Sequence, residues 1–380
     1  MSTIKVQNIQ HTGSSANAIA LASDGTCTAN ITNNLSNRNK IINGAMAVSQ
    51  RNGTSAVTTV NAYNIDRWQN AFSGTIGAYS FSQSTDSPDG FANSYKIDVT
   101  TADTSLGSTD VHLFRQMIEG QNIQDFAKGT SSAKKFTLSF YVKTNKTGTY
   151  IVNLADVDNS RECSASYTVS NTNWNRYTVS FPADTTGAFD NDNAASLRIL
   201  FALSAGSSFQ SGSLSTSWAA NADANRYVGQ VNLADNTSNE WLITGVQLEV
   251  DNTGSGKATD FEHRSFAQEL NLCTRYFQKL QPTTVGGQND NPIAVMANFT
   301  STYAYGRIPF FNGIMRTGPS LTTSGCSYLS NGAAYSGLTL GVGGQSESTI
   351  EVNLTASSGN WTAGHAGWIR GGSFELNAEL

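Results

Sequence analysis

The chain of 380 residues carries a formal charge of −5, and only 13% of its residues are charged, about half the share in an ordinary soluble domain. It has no basic run, which excludes nucleic-acid binding driven by counterion release. It also has no stretch approaching the ~18 unbroken apolar residues of a membrane helix, which excludes helical membrane insertion. Ser, Thr, Asn and Gly replace the charges, and with 10% aromatic residues and only 6 prolines the composition predicts an all-β chain of two or three domains.

Residues 1–40 form a short strand-like arm. Ile4, Val6 and Ile9, then Ile19 and Leu21, are separated by polar turns. So few strands cannot close a core, so the arm is expected to pair with another chain or an adjoining domain. Its opening, MSTIKVQNIQ, has no apolar signal-peptide region. Cys27, Cys163, Cys273 and Cys326 are far apart and fit neither a metal knuckle nor a dense disulfide framework, which points to folding in a reducing compartment.

The next segments are NKIINGAMAVSQRNG (39–53) and YNIDRWQ (63–69). Asp66 and Arg67 beside Trp68 read as a charged pair and an aromatic that fix a strand to its neighbour, not as catalytic groups. From 76 to 250 strands recur at regular intervals: YSFSQ, YKIDVT, VHLFRQMI, KFTLSFYVKT, GTYIVNLAD, SASYTVS, WNRYTVSF, SLRILFAL, RYVGQVNL and EWLITGVQLEV. Phe136, Leu138, Phe140 and Val142 alternate as a half-buried strand does. Ten strands with turns between them predict an antiparallel sandwich over any βαβ fold, with Trp174 and Trp241 in its core.

Residues 239–280 then change character. The strand through Trp241, Ile243, Val246 and Leu248 ends in a Gly-rich loop. Ser265 and Gln268 have capping-box spacing, and Phe266, Leu270, Cys273, Phe277 and Leu280 recur at helical steps. A linker helix over 263–280 is therefore expected between a sandwich at 41–262 and a smaller β domain at 281–380. That last domain has strands at IAVMANF, GRIPF, TIEVNL and GSFELNAEL, and Gly turns at 286–287, 343–344 and 371–372.

The motifs GVQLEV, AT-F-EHRSFAQEL and C-RYFQK resemble the junction of bacteriophage tail-fibre and other virion adhesion proteins. In that family the junction joins a jelly roll to a C-terminal β domain. The arm's IKV-NIQ, the 39–53 and 63–69 segments, RIPFFNGIMRTGPSLTTSG and the terminal FELNAEL resemble the same proteins. FTLSFYVKTNKTGTYIVNL with NWNRYTVSF resembles carbohydrate-binding jelly rolls. Asp251 stands where most members have glycine and Asp260 where most have proline, which implies a differently built turn. The resemblance implies an all-β, antiparallel jelly-roll sandwich, a linker helix and a second β domain. It further implies a non-catalytic homotrimer in the virion tail, folded in the host cytoplasm, held to other tail proteins by its arm and recognising a host surface glycan. A capsid-decorating or head-fibre protein and a polysaccharide-degrading tail protein are the alternatives.

Candidate chemistry is sparse. Gly254-Ser255-Gly256-Lys257 fails as a phosphate loop, because Asp251 would fall on the first glycine and Ala258 on the magnesium-binding hydroxyl. His11, His112, His263 and His365 have no spacing suggestive of a triad or zinc site. Asp156 with Asp158, and Asp190 with Asp192, place oxygen ligands on short connections and are candidate ligands for a structural Ca2+ of the kind jelly-roll carbohydrate modules often carry. No other cofactor is expected. Trp218, Trp361 and Trp368 lie outside the predicted strands and are the candidate glycan-binding residues, since sugar rings stack on exposed indoles.

Overall fold

The computed structural model describes residues 5–15, 17–23, 27–29, 37–251, 254–281, 292–310, 313–336, 338–357 and 361–380. The expected turn at 286–287 lies outside them. Strands β1 (Asn8–Ile9), β2 (Ile19–Leu21) and β3 (Cys27–Ala29) pair antiparallel as the arm. Val6, Ile9 and Leu21 are exposed on it, and none of its described residues enters a hydrophobic cluster.

The jelly roll begins with β4 (Ala62–Ile65), β5 (Trp68–Ser73), β6 (Ala78–Ser84) and β7 (Ser94–Thr101). It continues through β8 (Val111–Glu119), β9 (Lys135–Thr144), β10 (Gly148–Asp156) and β11 (Arg161–Val169). It ends with β12 (Asn175–Phe181), β13 (Ala195–Ala205), β14 (Ala219–Ala220) and β15 (Glu240–Asp251). These strands form two antiparallel sheets, β14-β11-β10-β13-β8-β5-β4 and β12-β9-β15-β7-β6. Period-2 alternation places one face of each sheet in a shared core. There Trp68 stacks on Phe114 at 4.7 Å, Tyr95 on Phe114 at 4.9 Å, and Trp241 meets Phe114 edge-on at 5.8 Å.

The expected strand at 226–233 is a loop. Gly229 sits at φ 90°, and the Asn232 side chain accepts from the Ala234 amide to start a 3-10 turn, both of which break an extended run. Trp174 is half-buried just before β12 instead of in the core, and its indole donates to Asp86 at 2.9 Å.

The 39–53 segment covers one end of the sandwich. The Lys40 amide donates to Leu248, and the Val246 amide donates to the Gly44 carbonyl. A Cβ at Gly44 would stand 2.2 Å from the Val246 oxygen, so only glycine permits this approach. Asn43 donates to the carbonyls of Val48 and Asp66 and accepts from the Val48 amide.

The helix is shorter than its periodicity predicts. Helix α1 spans Phe266–Thr274 behind the Ser265–Gln268 capping box. Cys273 is buried, Leu270 is half-buried, and Phe266 is 60% exposed. Phe277 and Leu280 leave the helix for strand β16 (Phe277–Leu280), which pairs with a strand at the far end of the chain. The C-terminal domain therefore begins inside the expected linker. Its other strands are β17 (Pro292–Asn298), β18 (Tyr303–Pro309), β19 (Ser320–Ser324), β20 (Ser327–Ser330) and β21 (Ala333–Tyr335). β22 (Thr339–Gln345), β23 (Thr349–Thr355), β24 (Ala366–Arg370) and β25 (Ser373–Asn377) complete it. They form the sheets β16-β25-β19 and β21-β20-β24-β17-β18-β23-β22 over a second core. Gly371 and Gly372, both at positive φ, make the expected turn, whereas Gly343 and Gly344 lie within a bulged strand.

A buried polar junction joins the two domains. Asp66 and Arg67 do not pair with each other. Arg67, at φ 70°, pairs with Glu379, donates to the Met117 carbonyl at 2.6 Å, and lies 3.4 Å over the Tyr276 ring. Asp66 accepts from the Gln50 amide and side chain at 2.7 and 2.6 Å. Tyr63 donates to the Leu380 carbonyl, and Arg316 donates to the carbonyls of Ala378, Glu379 and Asn193. Glu119 accepts two bonds from Arg275 at 2.8 Å. The last three residues are thus clamped between both domains.

Burial pushes the Asp66 carboxyl up to about 6, against the opposing pull of Arg51 and the Gln50 hydrogen bonds. Because the folded value lies above the unfolded one, the folded chain holds the extra proton between about pH 4 and 6. Its contribution is full below that window and is lost as pH rises through about 6. Wild type should therefore lose about 2 kcal/mol between pH 4.5 and 7 relative to Asp66→Asn. Denaturant unfolding at the two pH values measures this, and parallel curves for the two proteins would place the titrating proton elsewhere.

Candidate functional site

The structure buries two of the three tryptophans expected to face a glycan. Trp218 is 9% exposed; its indole donates to the Pro182 carbonyl at 2.8 Å and its ring packs against Phe136. Trp361 is 4% exposed and meets Tyr328 edge-on at 4.9 Å in the C-terminal core. Both are core residues, because strands distant in sequence close over the loops that carry them. Trp368 sits within β24 and is half-buried.

Three of the four aspartate carboxylates, Asp156, Asp158 and Asp192, are engaged within the protein. Asp156 is buried against the Lys128 ammonium at 2.5 Å, and Asn159 also donates to it. Asp158 accepts from the Asp190 amide at 2.9 Å, so the two loops do meet. Asp192 accepts from the Ala194 amide within its own turn. The cation between these loops is Lys128, which also reaches Asp184 at 3.0 Å and the carbonyls of Thr186 and Gly187. Trp218 and Phe189 flank its ammonium at 5.1 and 5.2 Å. Burial alone would raise the Asp184 carboxyl, but Arg161 and Lys128 hold it below the usual range. Of the four candidates only Asp156 faces this ammonium, which stands where a calcium ion on that carboxylate would; among the described residues no group of three or more His, Cys, Asp or Glu could hold a metal.

Trp368 leads to a different surface. It lies opposite Val295 on one side and Leu329 on the other, and register partners share a face. Val295 is 63% exposed, so this is the solvent face of the large C-terminal sheet. On β18 the buried Ala304 and Ile308 point inward, which turns Tyr305 and Arg307 outward. Tyr305 is 40% exposed and lies 6.1 Å from Phe299, itself 66% exposed in the β17–β18 turn.

Beside Tyr305 the register runs to Asn353 and then to Gly341 on the edge strand. Asn353 Oδ1 is buried beneath this edge without a hydrogen-bond partner. A Cβ at Gly343 would stand 2.3 Å from Glu351 and 2.7 Å from Asn353, so glycine there lets both side chains lie across the edge. Gly341 and Gly344 have open space where side chains would be. Arg307 and Glu351 approach to 3.6 Å at the surface, a pairing of small strength that leaves both available to a ligand. The face thus offers aromatic rings, the Arg307 and Glu351 side chains and a glycine-floored edge, which is chemistry suited to stacking a sugar ring and pairing its hydroxyls. Only Trp368 of this set was a sequence candidate. The outward turn of Tyr305 was detectable from its alternation with Ala304 and Ile308.

No protein-family profile matches the sequence, and no curated protein does. Among solved structures, the enzymatically active domain of the bacteriophage CBA120 tailspike protein 4 is 16% identical with a TM-score of 0.32, over 58% of this chain and 23% of that one. The chain thus matches about a quarter of that domain's length. A sugar-binding protein from Bacteroides thetaiotaomicron is 14% identical with a TM-score of 0.32, over 56% of this chain and all of that one. The C-terminal family 22 carbohydrate-binding module of Clostridium thermocellum Xyn10B is 12% identical with a TM-score of 0.28, over 53% and 98%.

Proposed function

We propose that this chain is a non-catalytic virion adhesin, a tail-fibre or tail-associated homotrimer that binds a host surface glycan. The observation that carries the reading is the solvent face of the C-terminal sheet, which exposes Phe299 and Tyr305, with Trp368 two strands from Tyr305 on one side and a glycine-rich edge strand two strands away on the other. The exposed arm, too small for its own core, suits attachment to another tail protein. The resemblance of the junction motifs to virion adhesion proteins supports the same reading. Catalysis is disfavoured by the commitment of the buried carboxylates, since Glu119, Asp156 and Glu162 are each paired with a cation.

Cell adsorption by particles carrying Tyr305→Ala or Phe299→Ala tests the reading. Each ring is exposed, so the fold should persist while adsorption weakens about three- to tenfold, the worth of one aromatic contact. Trp361→Ala should instead cost about 3–5 kcal/mol of stability, as core tryptophan truncations do. Wild-type adsorption by both surface variants would remove this face from receptor binding. Release of new reducing ends from host polysaccharide would favour the polysaccharide-degrading alternative.

A further inference from the structure

The outer face of the seven-stranded jelly-roll sheet carries a pair of cations that the fold does not use. Along β8 the inward Phe114 places Arg115 on the outer face, and along β13 the inward Ile199 and Phe201 place Arg198 and Leu200 there. Arg115 is directly opposite Leu200, so Arg198 is its diagonal neighbour, roughly 7 Å away between side-chain bases. Both side chains are half-buried.

Most partly buried cations nearby have an acid. Lys128 has Asp156, Arg161 has Asp184, Arg226 has Glu162, and Arg275 has Glu119. Arg115 has only the neutral Gln69, to which its Nε donates at 2.8 Å. Arg198 has no hydrogen bond or ion pair among the described residues, and its Nε is buried without a partner. Two acids share this face and both are engaged: Glu162 is two strands from Arg198, roughly 10 Å at the spacing of β-strands, and is held by Arg226 at 2.5 Å, and Glu119 near the end of β8 is held by Arg275 at 2.8 Å. The pair lies beside an apolar cluster that includes Phe209, Leu214 and Tyr227 from the 206–231 loop. Burial and then the neighbouring Arg198 charge depress Arg115, yet a guanidinium stays charged in any protein. Two like charges side by side, one with an orphaned donor, cost stability that nothing in the fold returns.

We infer that Arg115 and Arg198 form an oxyanion-binding site on the outer face of the jelly roll, holding a carboxylate, sulfate or phosphate group of a ligand. Planar guanidinium forks match such groups through paired hydrogen bonds. The site is on the other domain from the aromatic face and stands independently of it.

Calorimetric titration of the full chain tests this with sodium glucuronate, inorganic sulfate, inorganic phosphate and neutral glucose at constant ionic strength. At least one of the three anions should bind, and glucose should not bind at this pair. Arg198→Gln, which removes no hydrogen bond or ion pair among the described residues and relieves the like-charge contact, should melt at or above the wild-type temperature and weaken that anion about tenfold or more, the worth of one charge-assisted contact. Arg198→Lys should recover part of the affinity. Tighter glucuronate would identify a uronate-bearing ligand, and tighter sulfate or phosphate an esterified one; either supports the site. No anion binding by wild type, or equal binding by wild type and Arg198→Gln, would overturn it.

Discussion

Arg67→Met will destabilise the chain by about 3–5 kcal/mol, because removing one partner of a buried ion pair strands the other. Arg67 is 1% exposed and its partner Glu379 has a side chain that is 4% exposed. The guanidinium also donates to the Met117 carbonyl and covers the Tyr276 ring, and methionine replaces only part of that packing. Arg51 still reaches Glu379 at 3.2 Å, which places the cost toward the lower end. The diagnostic is the double variant Arg67→Met/Glu379→Leu. With neither charge left in the junction, it should be more stable than the sum of the single losses by about 1–3 kcal/mol. Denaturant unfolding of the four proteins measures this coupling. Strict additivity would mean that Glu379 does not depend on Arg67, and that the C-terminal tail is held by its backbone contacts alone.

That junction also shows where sequence reasoning stops. Local period-2 patterning made β9 legible, since Phe136, Leu138, Phe140 and Val142 all face the core. The capping box was legible for the same reason, all of its information lying within four residues. Phe277 and Leu280 continued the helical spacing, but they enter β16, whose partner β25 lies about a hundred positions along. A partner that distant leaves no mark on local periodicity. Asp66 and Arg67 read as a pair because they are adjacent, yet Arg67 pairs with a residue 312 positions away. The tryptophans failed similarly. Their loops are polar and turn-rich, but the cover over Trp218 comes from Pro182, Lys128 and Phe136, and that over Trp361 from Tyr328 and Tyr335. What faces solvent instead is set by which side of β18 the sheet turns inward. The GRIPF strand was legible, but its outward ring Tyr305 precedes it and was passed over.

Lys128→Met carries the other large expected effect, and it separates an internal cation from a metal ion. The lysine is wholly buried, with Asp156 at 2.5 Å and Asp184 at 3.0 Å. Methionine keeps most of the stem's volume but leaves Asp156 without a cation, while Asp184 retains Arg161 at 2.8 Å. The expected loss at pH 7 is about 3–5 kcal/mol. Its sign with pH follows from the charges. In wild type Asp184 is held below the usual carboxylate range, so its contribution is present at neutral pH and fades as pH falls through that lowered value. In the variant Asp184 loses one of the two cations that hold it down and would take up its proton at higher pH than before, so the deficit should shrink as pH falls from 7 to 4.5. Unfolding curves at both pH values decide between charge and packing, since an equal deficit at each would assign the loss to packing. The same curves with millimolar calcium complete the test. Because the ammonium already stands between the Asp156 and Asp190 loops, wild type should unfold at the same midpoint with and without the ion. A calcium-dependent rise in the wild-type midpoint would mean that the acidic loops bind metal in spite of the lysine.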